Sequence, residues 1–164
     1  MINLRNCLVA CGLLAATCGA QNPDGTKFYK LDFTVKDMEG ARPMSSRTYS
    51  MVATTDGPNS SVRAGSKVPI PASPGSTQQF TFIELGVNID CRLIKEVQNE
   101  LSLNITAEIS STGEATGPAS LIIRQNKWSS SVIVPLRKPT LIFSSDDVTT
   151  KRQIQLELTA TPIK

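Results

Sequence analysis

The longest alternation of apolar and polar residues runs from Gln78 to Ser111 and predicts two consecutive β-strands. Apolar residues occupy every second position of both halves, with a phase slip near Glu84 and Gly86 in the first half. A period of two places the apolar side chains on one face of a sheet. We therefore expect two half-buried strands that face a core on one side and water on the other.

Shorter alternations before and after this stretch predict further strands of the same kind. They cover residues 27–36, 47–54, 61–64, 120–124, 129–134, 140–143 and 152–161. Residues 65–79 contain three prolines and two glycines and are expected to form mainly a loop, with residues 68–71 left open as an extended edge segment. Residues 112–119 predict a second loop. The fold class is all-β: an antiparallel meander, as a curved sheet or sandwich, of about seven to nine short strands.

The N-terminal residues have the pattern of an export signal. Arg5 precedes an apolar run over residues 7–16, and small residues lead to an expected cleavage between Ala20 and Gln21. Residues 1–20 are thus predicted to be a signal peptide and residues 21–164 a single β-domain. Lipidation at Cys11 or Cys18 is the alternative to cleavage alone.

Composition narrows the chemistry. The 164 residues carry a net charge of +3 without a basic stripe, so no nucleic acid partner is expected. The chain has no histidine, the commonest general base and metal ligand. Cys91 is expected to be a buried or half-buried small hydrophobe, with intermolecular pairing as the alternative. Asp146 and Asp147 are expected in a solvated turn.

No catalytic, metal-binding or cofactor-binding residue is therefore predicted, and the protein is not expected to be an enzyme. A hydrolase that uses two carboxylates is the lowest-ranked alternative, because no spacing singles out a pair. Its candidates are Glu84, Asp90, Glu96, Glu100 and Glu108.

Short motifs follow one another from about residue 62 to residue 161. They are a glycine with a nearby Val-Pro pair, a strand that contains Gly-Val, a strand that ends in Glu-Ile-Ser, and an arginine ahead of a hairpin. Their residues are Gly65, Val68, Pro69, Gly86, Val87, Ile89, Glu108, Ile109, Ser110, Arg124, Val132 and Val134. By these motifs the segment resembles the β-domain of bacterial secretins, the channel proteins of type II and type III secretion and of type IV pili. The chain is also similar to short exported proteins of acidobacteria. It departs from the secretin pattern at residues 91–94, where a proline is usual, and in and after the final hairpin, where glycines are usual.

The resemblance implies an exported, non-enzymatic protein of the cell envelope that acts through protein–protein assembly, with a link to secretion or pilus machinery. Its expected location is the periplasm or the outer membrane, with secretion as an alternative, and its expected partners are other envelope proteins or further copies of itself. Membrane association is left open. The alternative function is a periplasmic binding module whose loops, residues 65–79 and 112–119, form a ligand surface.

Overall fold

The computed structural model describes residues 25–71, 80–113, 122–147 and 150–163. The predicted cleavage site, Ala20 and Gln21, and the cysteines considered for lipidation lie outside these residues. The described chain forms eight β-strands: β1 (Phe28–Glu39), β2 (Arg42–Thr54), β3 (Ser60–Pro71), β4 (Phe80–Val97), β5 (Glu100–Thr112), β6 (Ile123–Pro135), β7 (Thr140–Asp146) and β8 (Arg152–Ile163). The predicted all-β class and the number of strands are confirmed.

The strands form two antiparallel sheets of four. One sheet has the order β2-β1-β8-β7 and the other the order β3-β4-β5-β6. Alternate residues of both sheets contribute to one hydrophobic core, so the sheets pack face to face as a sandwich. The largest fully buried side chains are Tyr29, Leu31, Phe33, Ile89, Leu101, Leu103, Ile105, Leu156, Leu158 and Val134.

Strand β3 corrects the prediction that residues 65–79 form mainly a loop. Residues 65–71 continue the strand that begins at Ser60 and pair with β4 as far as Pro71. Pro69 and Pro71 are compatible with this strand because β3 lies at the edge of its sheet, where a missing N–H group costs no ladder hydrogen bond. Residues 72–79 lie outside the described residues, as do residues 114–121 of the second predicted loop.

The predicted strand at residues 129–134 and the last two residues of the one predicted at residues 120–124 belong to a single strand, β6. β6 pairs with β5 continuously from Ile123 to Pro135, and Trp128 stands opposite Ala107 in the middle of the ladder. The serines at positions 129–131 weaken the apolar signal, but the backbone pairing does not depend on them. The edge strand β6 therefore has the same length as the central strand β5, 13 residues.

On each side of the sandwich, an edge strand of one sheet lies against an edge strand of the other sheet. β2 lies against β3 on one side, and β6 lies against β7 on the other. The two poles also differ. Phe28 pairs with Ile163 at one pole, whereas the hairpin of β3 and β4 extends from the opposite pole.

Candidate functional site

Gly65 and Gly86 face each other across the ladder of β3 and β4. Gly86 has a φ of 147°, a conformation that residues with a side chain rarely adopt. A Cβ atom at position 86 would lie 2.1 Å from the carbonyl oxygen of Ala64 and 2.5 Å from the Cα of Gly65. A Cβ atom at position 65 would lie 2.2 Å from the carbonyl oxygen of Leu85. Glycine is required at both positions because the two backbones approach so closely.

Ser110 on β5 holds this close approach from the neighbouring strand. The backbone N–H of Gly86 donates a hydrogen bond to Ser110 Oγ at 3.0 Å, and the hydroxyl in turn donates toward the carbonyl oxygen of Glu84 at 3.4 Å. Ser110 is the one buried polar residue among those described, with 8% of its surface exposed. The regular backbone pairing of β4 with β5 begins only at Val87. At Gly86, just before that point, the Ser110 side chain therefore provides the hydrogen bond between the two strands.

Beyond the two glycines, residues 66–71 and 80–85 form a two-stranded ribbon. Phe80 and Phe82 stand opposite Pro71 and Pro69, and they are 53% and 62% exposed. This arrangement explains the phase slip in the sequence, because both phenylalanines lie on the opposite face from the inward positions Ile83 and Leu85. The base of the ribbon carries a salt bridge of 3.2 Å between Lys67 and Glu84.

A groove of about 680 Å³ opens between the two sheets beneath the ribbon. It reaches the side formed by β2 and β3, where Arg47 and Tyr49 form part of its wall. A second cavity of about 540 Å³ adjoins it on the side of β6 and β7. Six of the residues that carry the secretin resemblance line the larger groove: Gly65, Val68, Gly86, Val87, Ile109 and Ser110.

The remaining predicted residues lie elsewhere. Arg124 lines the smaller cavity and forms a salt bridge of 3.2 Å with Asp147. Glu108 is on the outer face of its sheet, where it accepts a hydrogen bond of 2.8 Å from Gln125. Pro69 belongs to the ribbon. Ile89 and Val134 are fully buried core residues, and Val132 packs against that core.

Two polar features of the structure have no counterpart in the sequence motifs. Asp37 stands where the two cavities meet, and its Oδ1 atom is buried without a hydrogen-bond partner among the described residues, while Arg152 lies 3.9 Å from its Oδ2 atom. Arg47 is exposed and makes no hydrogen bond or salt bridge to any residue that the structure describes. Both residues lie in weakly patterned polar stretches, so periodicity gives no signal for them.

At the opposite pole, Glu96 ties the two sheets together. Its Oε2 atom accepts hydrogen bonds from Lys27 Nζ at 2.8 Å and from Tyr29 Oη at 2.6 Å. The hydrogen bonds from Lys27 and Tyr29 hold the pKa of Glu96 below its ordinary value. Burial, together with the hydrogen bond to Glu96, raises the pKa of Tyr29 above its ordinary value.

The groups considered for catalysis have structural contacts. Arg63 donates to both carboxylate oxygens of Asp90, at 2.7 and 2.8 Å, and Glu84 and Glu96 are paired with lysines. Cys91 is buried, which confirms the prediction. Its burial raises the pKa of the thiol to about 12, which makes it a poor nucleophile.

Across the described ranges, no three His, Cys, Asp or Glu side chains group as metal ligands would. No described segment is a helix with the length and apolar character needed to cross a membrane.

Comparison with known proteins gives similarity at the level of structure. No family model and no curated protein matches the sequence. The fold is similar to the secretin InvG of the Salmonella SPI-1 type III secretion injectisome, with a TM-score of 0.51 and 7% identity over 85% of this chain and 62% of that one. It is also similar to the secretin GspD in its complex with the pilotin AspS from ETEC, with a TM-score of 0.47 and 9% identity over 85% of this chain and 47% of that one. A third similar structure is Aeromonas hydrophila ExeD, with a TM-score of 0.49 and 11% identity over 84% of this chain and 46% of that one.

The chain thus spans about half to three fifths of the secretins that it resembles. The predicted resemblance to the secretin β-domain is confirmed as a likeness of fold.

Proposed function

We propose that this chain is an exported, non-enzymatic envelope protein that assembles with further copies of itself, side by side, through the open edges of both sheets. The observation that carries the proposal is that four edge strands, β2 and β3 on one side and β6 and β7 on the other, end the two sheets without a partner strand among the described residues. Unpaired edges expose rows of N–H and C=O groups that pair readily with another chain.

The direction of the strands supports this mode of assembly. Each sheet has four strands that alternate in direction, so its first and last strands run in opposite directions. A second copy placed alongside in the same orientation brings β6 next to β3 and β7 next to β2, and both new pairs are antiparallel. The sheets then continue from copy to copy without a change in their hydrogen-bonding pattern.

The contact between copies joins two different surfaces, the β2/β3 side of one and the β6/β7 side of the next. Such a head-to-tail contact does not end at a dimer, and it forms a ring if the rotation closes or an open filament if it does not. The likeness of the fold to secretins is consistent with assembly in the envelope, and by that likeness we propose a role linked to secretion machinery.

The test is the size of the leader-free chain, measured by light scattering after gel filtration over a wide range of concentration. We expect species larger than a dimer that grow with concentration. Two lysines on the outer faces of the edge strands, Ser46→Lys with Ser61→Lys, should suppress them because charged edges resist pairing. Asn104→Lys with Thr159→Lys adds the same charge on central strands and should leave assembly intact. A parent chain that stays monomeric at its highest soluble concentration would refute the proposal.

A binding module is the second candidate, and the groove between the sheets is the observation that favours it. Apolar residues from both sheets line the groove, and its mouth carries the unpaired Arg47. Of the two loops that the sequence predicts for a ligand surface, Gly65, Ser66, Val68 and Thr112 line the groove. A strictly monomeric chain that binds a small amphipathic probe would favour this function over assembly.

A further inference from the structure

The strand registers define rows of residues that cross each sheet from one edge to the other. In one sheet, Val62, Ile89, Ala107 and Trp128 form such a row. In the other sheet, a row contains Arg47, Val35, Leu156 and Phe143. All eight residues lie on the inward faces, because the central members of both rows belong to the core or pack against it.

Both rows end on the same two sides of the sandwich, at β6 and β7 on one side and at β2 and β3 on the other. On the β6/β7 side, the rings of Trp128 and Phe143 lie 5.7 Å apart at an angle of 36° and join the two sheets. Both side chains are half-buried. On the β2/β3 side, Val62 and Tyr49 are half-buried and Arg47 is exposed, with no partner among the described residues.

From these rows, and on the basis of the assembly proposed above, we propose that the Trp128–Phe143 pair of one copy docks against Val62, Tyr49 and Arg47 of a second copy. A copy placed alongside with no slide along the strands brings the end of each row next to its beginning, so Trp128 meets Val62 and Phe143 meets Arg47. Tryptophan, tyrosine and arginine are the residues that most often dominate the energy of a protein interface. An arginine over an aromatic ring also gains a cation–π interaction.

The overlap of the edges limits the slide. The short strand β7 lies level with residues 43–49 of β2, and residues 126–130 of β6 lie level with residues 60–64 of β3. If the copy that contributes β2 and β3 slides several residues toward the ribbon, the other copy's β6 loses pairing, whereas a slide of several residues the other way costs pairing along the other copy's β7. The arrangement with little slide therefore retains the most backbone hydrogen bonds in both sheets at once.

Cross-linking tests this register. Ser46 and Ser144 end one outer-face row through Lys36 and Gln155. Within one copy they are three strand spacings apart, roughly 14 Å, which is too far for a disulfide. The variant Ser46→Cys with Ser144→Cys should therefore form oxidised ladders of covalently linked copies. Ser46→Cys with Leu141→Cys is the matched control, since Leu141 belongs to the row that begins at Thr48, and it should cross-link far more slowly.

The energetic role of the contact is tested with Arg47→Glu, which leaves the fold intact because Arg47 has no partner within the described chain. We expect self-association to weaken by about tenfold or more. Arg92→Glu makes the same charge change at an exposed position of the central strand β4, away from both docking edges, and should change association by less than about threefold. Trp128 is the only tryptophan of the chain, so its emission should shift to the blue as the parent chain associates.

The outcomes separate the two proposals. If the parent chain assembles, but Arg47→Glu associates normally or the control cysteine pair cross-links faster, the docking proposed here is refuted and edge pairing still stands. If the parent chain does not assemble at any concentration, edge pairing itself is refuted. Faster cross-linking of Ser46→Cys with Ser144→Cys, combined with weak association of Arg47→Glu, supports the docking.

Discussion

Replacing Gly86 with alanine tests whether the close approach of β3 and β4 governs the stability of this pole. Two costs combine at this position. The backbone, at a φ of 147°, is strained for any residue with a Cβ atom, at about 1–3 kcal/mol. The new methyl group would also lie 2.1 Å from the carbonyl oxygen of Ala64, so the strands must separate. Overpacking of this kind costs about 1–3 kcal/mol.

We therefore expect Gly86→Ala to lower the free energy of unfolding by about 3 kcal/mol or more, a large part of the roughly 5–15 kcal/mol typical of a domain. Two other glycines separate the two costs. Gly40→Ala meets a φ of 60° with no atom within 4 Å, so it reports strain alone. Gly65→Ala meets the carbonyl oxygen of Leu85 at 2.2 Å without a positive φ, so it reports the steric cost alone.

The assay is equilibrium unfolding in urea, followed by Trp128 fluorescence at a concentration where the chain is monomeric. Gly86→Ala should be less stable than both single-cost variants, and the double variant Gly65→Ala with Gly86→Ala should lose less than the sum, because one separation of the strands relieves both clashes. A stability for Gly86→Ala within about 0.5 kcal/mol of Gly40→Ala would refute the reasoning.

Three further predictions follow from individual contacts. Ser110→Ala leaves the backbone N–H of Gly86 without its acceptor and should cost about 1–3 kcal/mol in the same urea assay, whereas an effect below about 0.5 kcal/mol would show that water replaces the hydroxyl. The pKa of Glu96 lies below its ordinary value of 4.5, so its contribution to stability is complete above pH 4.5 and is lost as the pH falls through the lowered value. Glu96→Gln should therefore flatten the loss of stability below pH 4.5, and an unchanged acid profile would contradict this assignment. Because Cys91 is buried and its pKa is raised to about 12, a chain of residues 21–164 should react with a thiol reagent near neutral pH only as fast as it opens, and immediate labelling of the native chain would contradict the burial of Cys91.

The sequence was sufficient for the fold class because burial in this protein follows the period of two. Tyr29, Leu31 and Phe33 are buried on one face of β1 as predicted, and Leu101, Leu103 and Ile105 are buried on β5. Where the alternation of apolar and polar residues does not predict a strand, pairing with a neighbouring strand can still hold the backbone extended. Residues 65–71 are rich in proline and glycine, yet they form an edge strand because β4 supplies the only ladder that they need.

The candidate site was predictable only in part. Gly65, Gly86 and Ser110 come together as a physical unit, and the resemblance had already selected all three. Their contact depends on the register of three strands, which alternation alone does not fix. Arg47 and Asp37 give no signal in the sequence, because what marks them is the absence of a partner for Arg47 and for Asp37 Oδ1 among the described residues, a property of the folded chain. Glu96 is one of the carboxylates that the sequence offers for catalysis, whereas the structure shows it bound to Lys27 and Tyr29.

The pairing of Phe28 with Ile163 has a mechanical consequence. These residues are neighbours on adjacent antiparallel strands, so both ends of the described domain leave from one point of one pole. A force that pulls these ends apart breaks the hydrogen bonds between β1 and β8 one after another, starting from this pole. A force between the ribbon and this pole instead runs along the strands and loads many hydrogen bonds together. We therefore expect the domain to resist a force along its strands better than a force that separates its two ends.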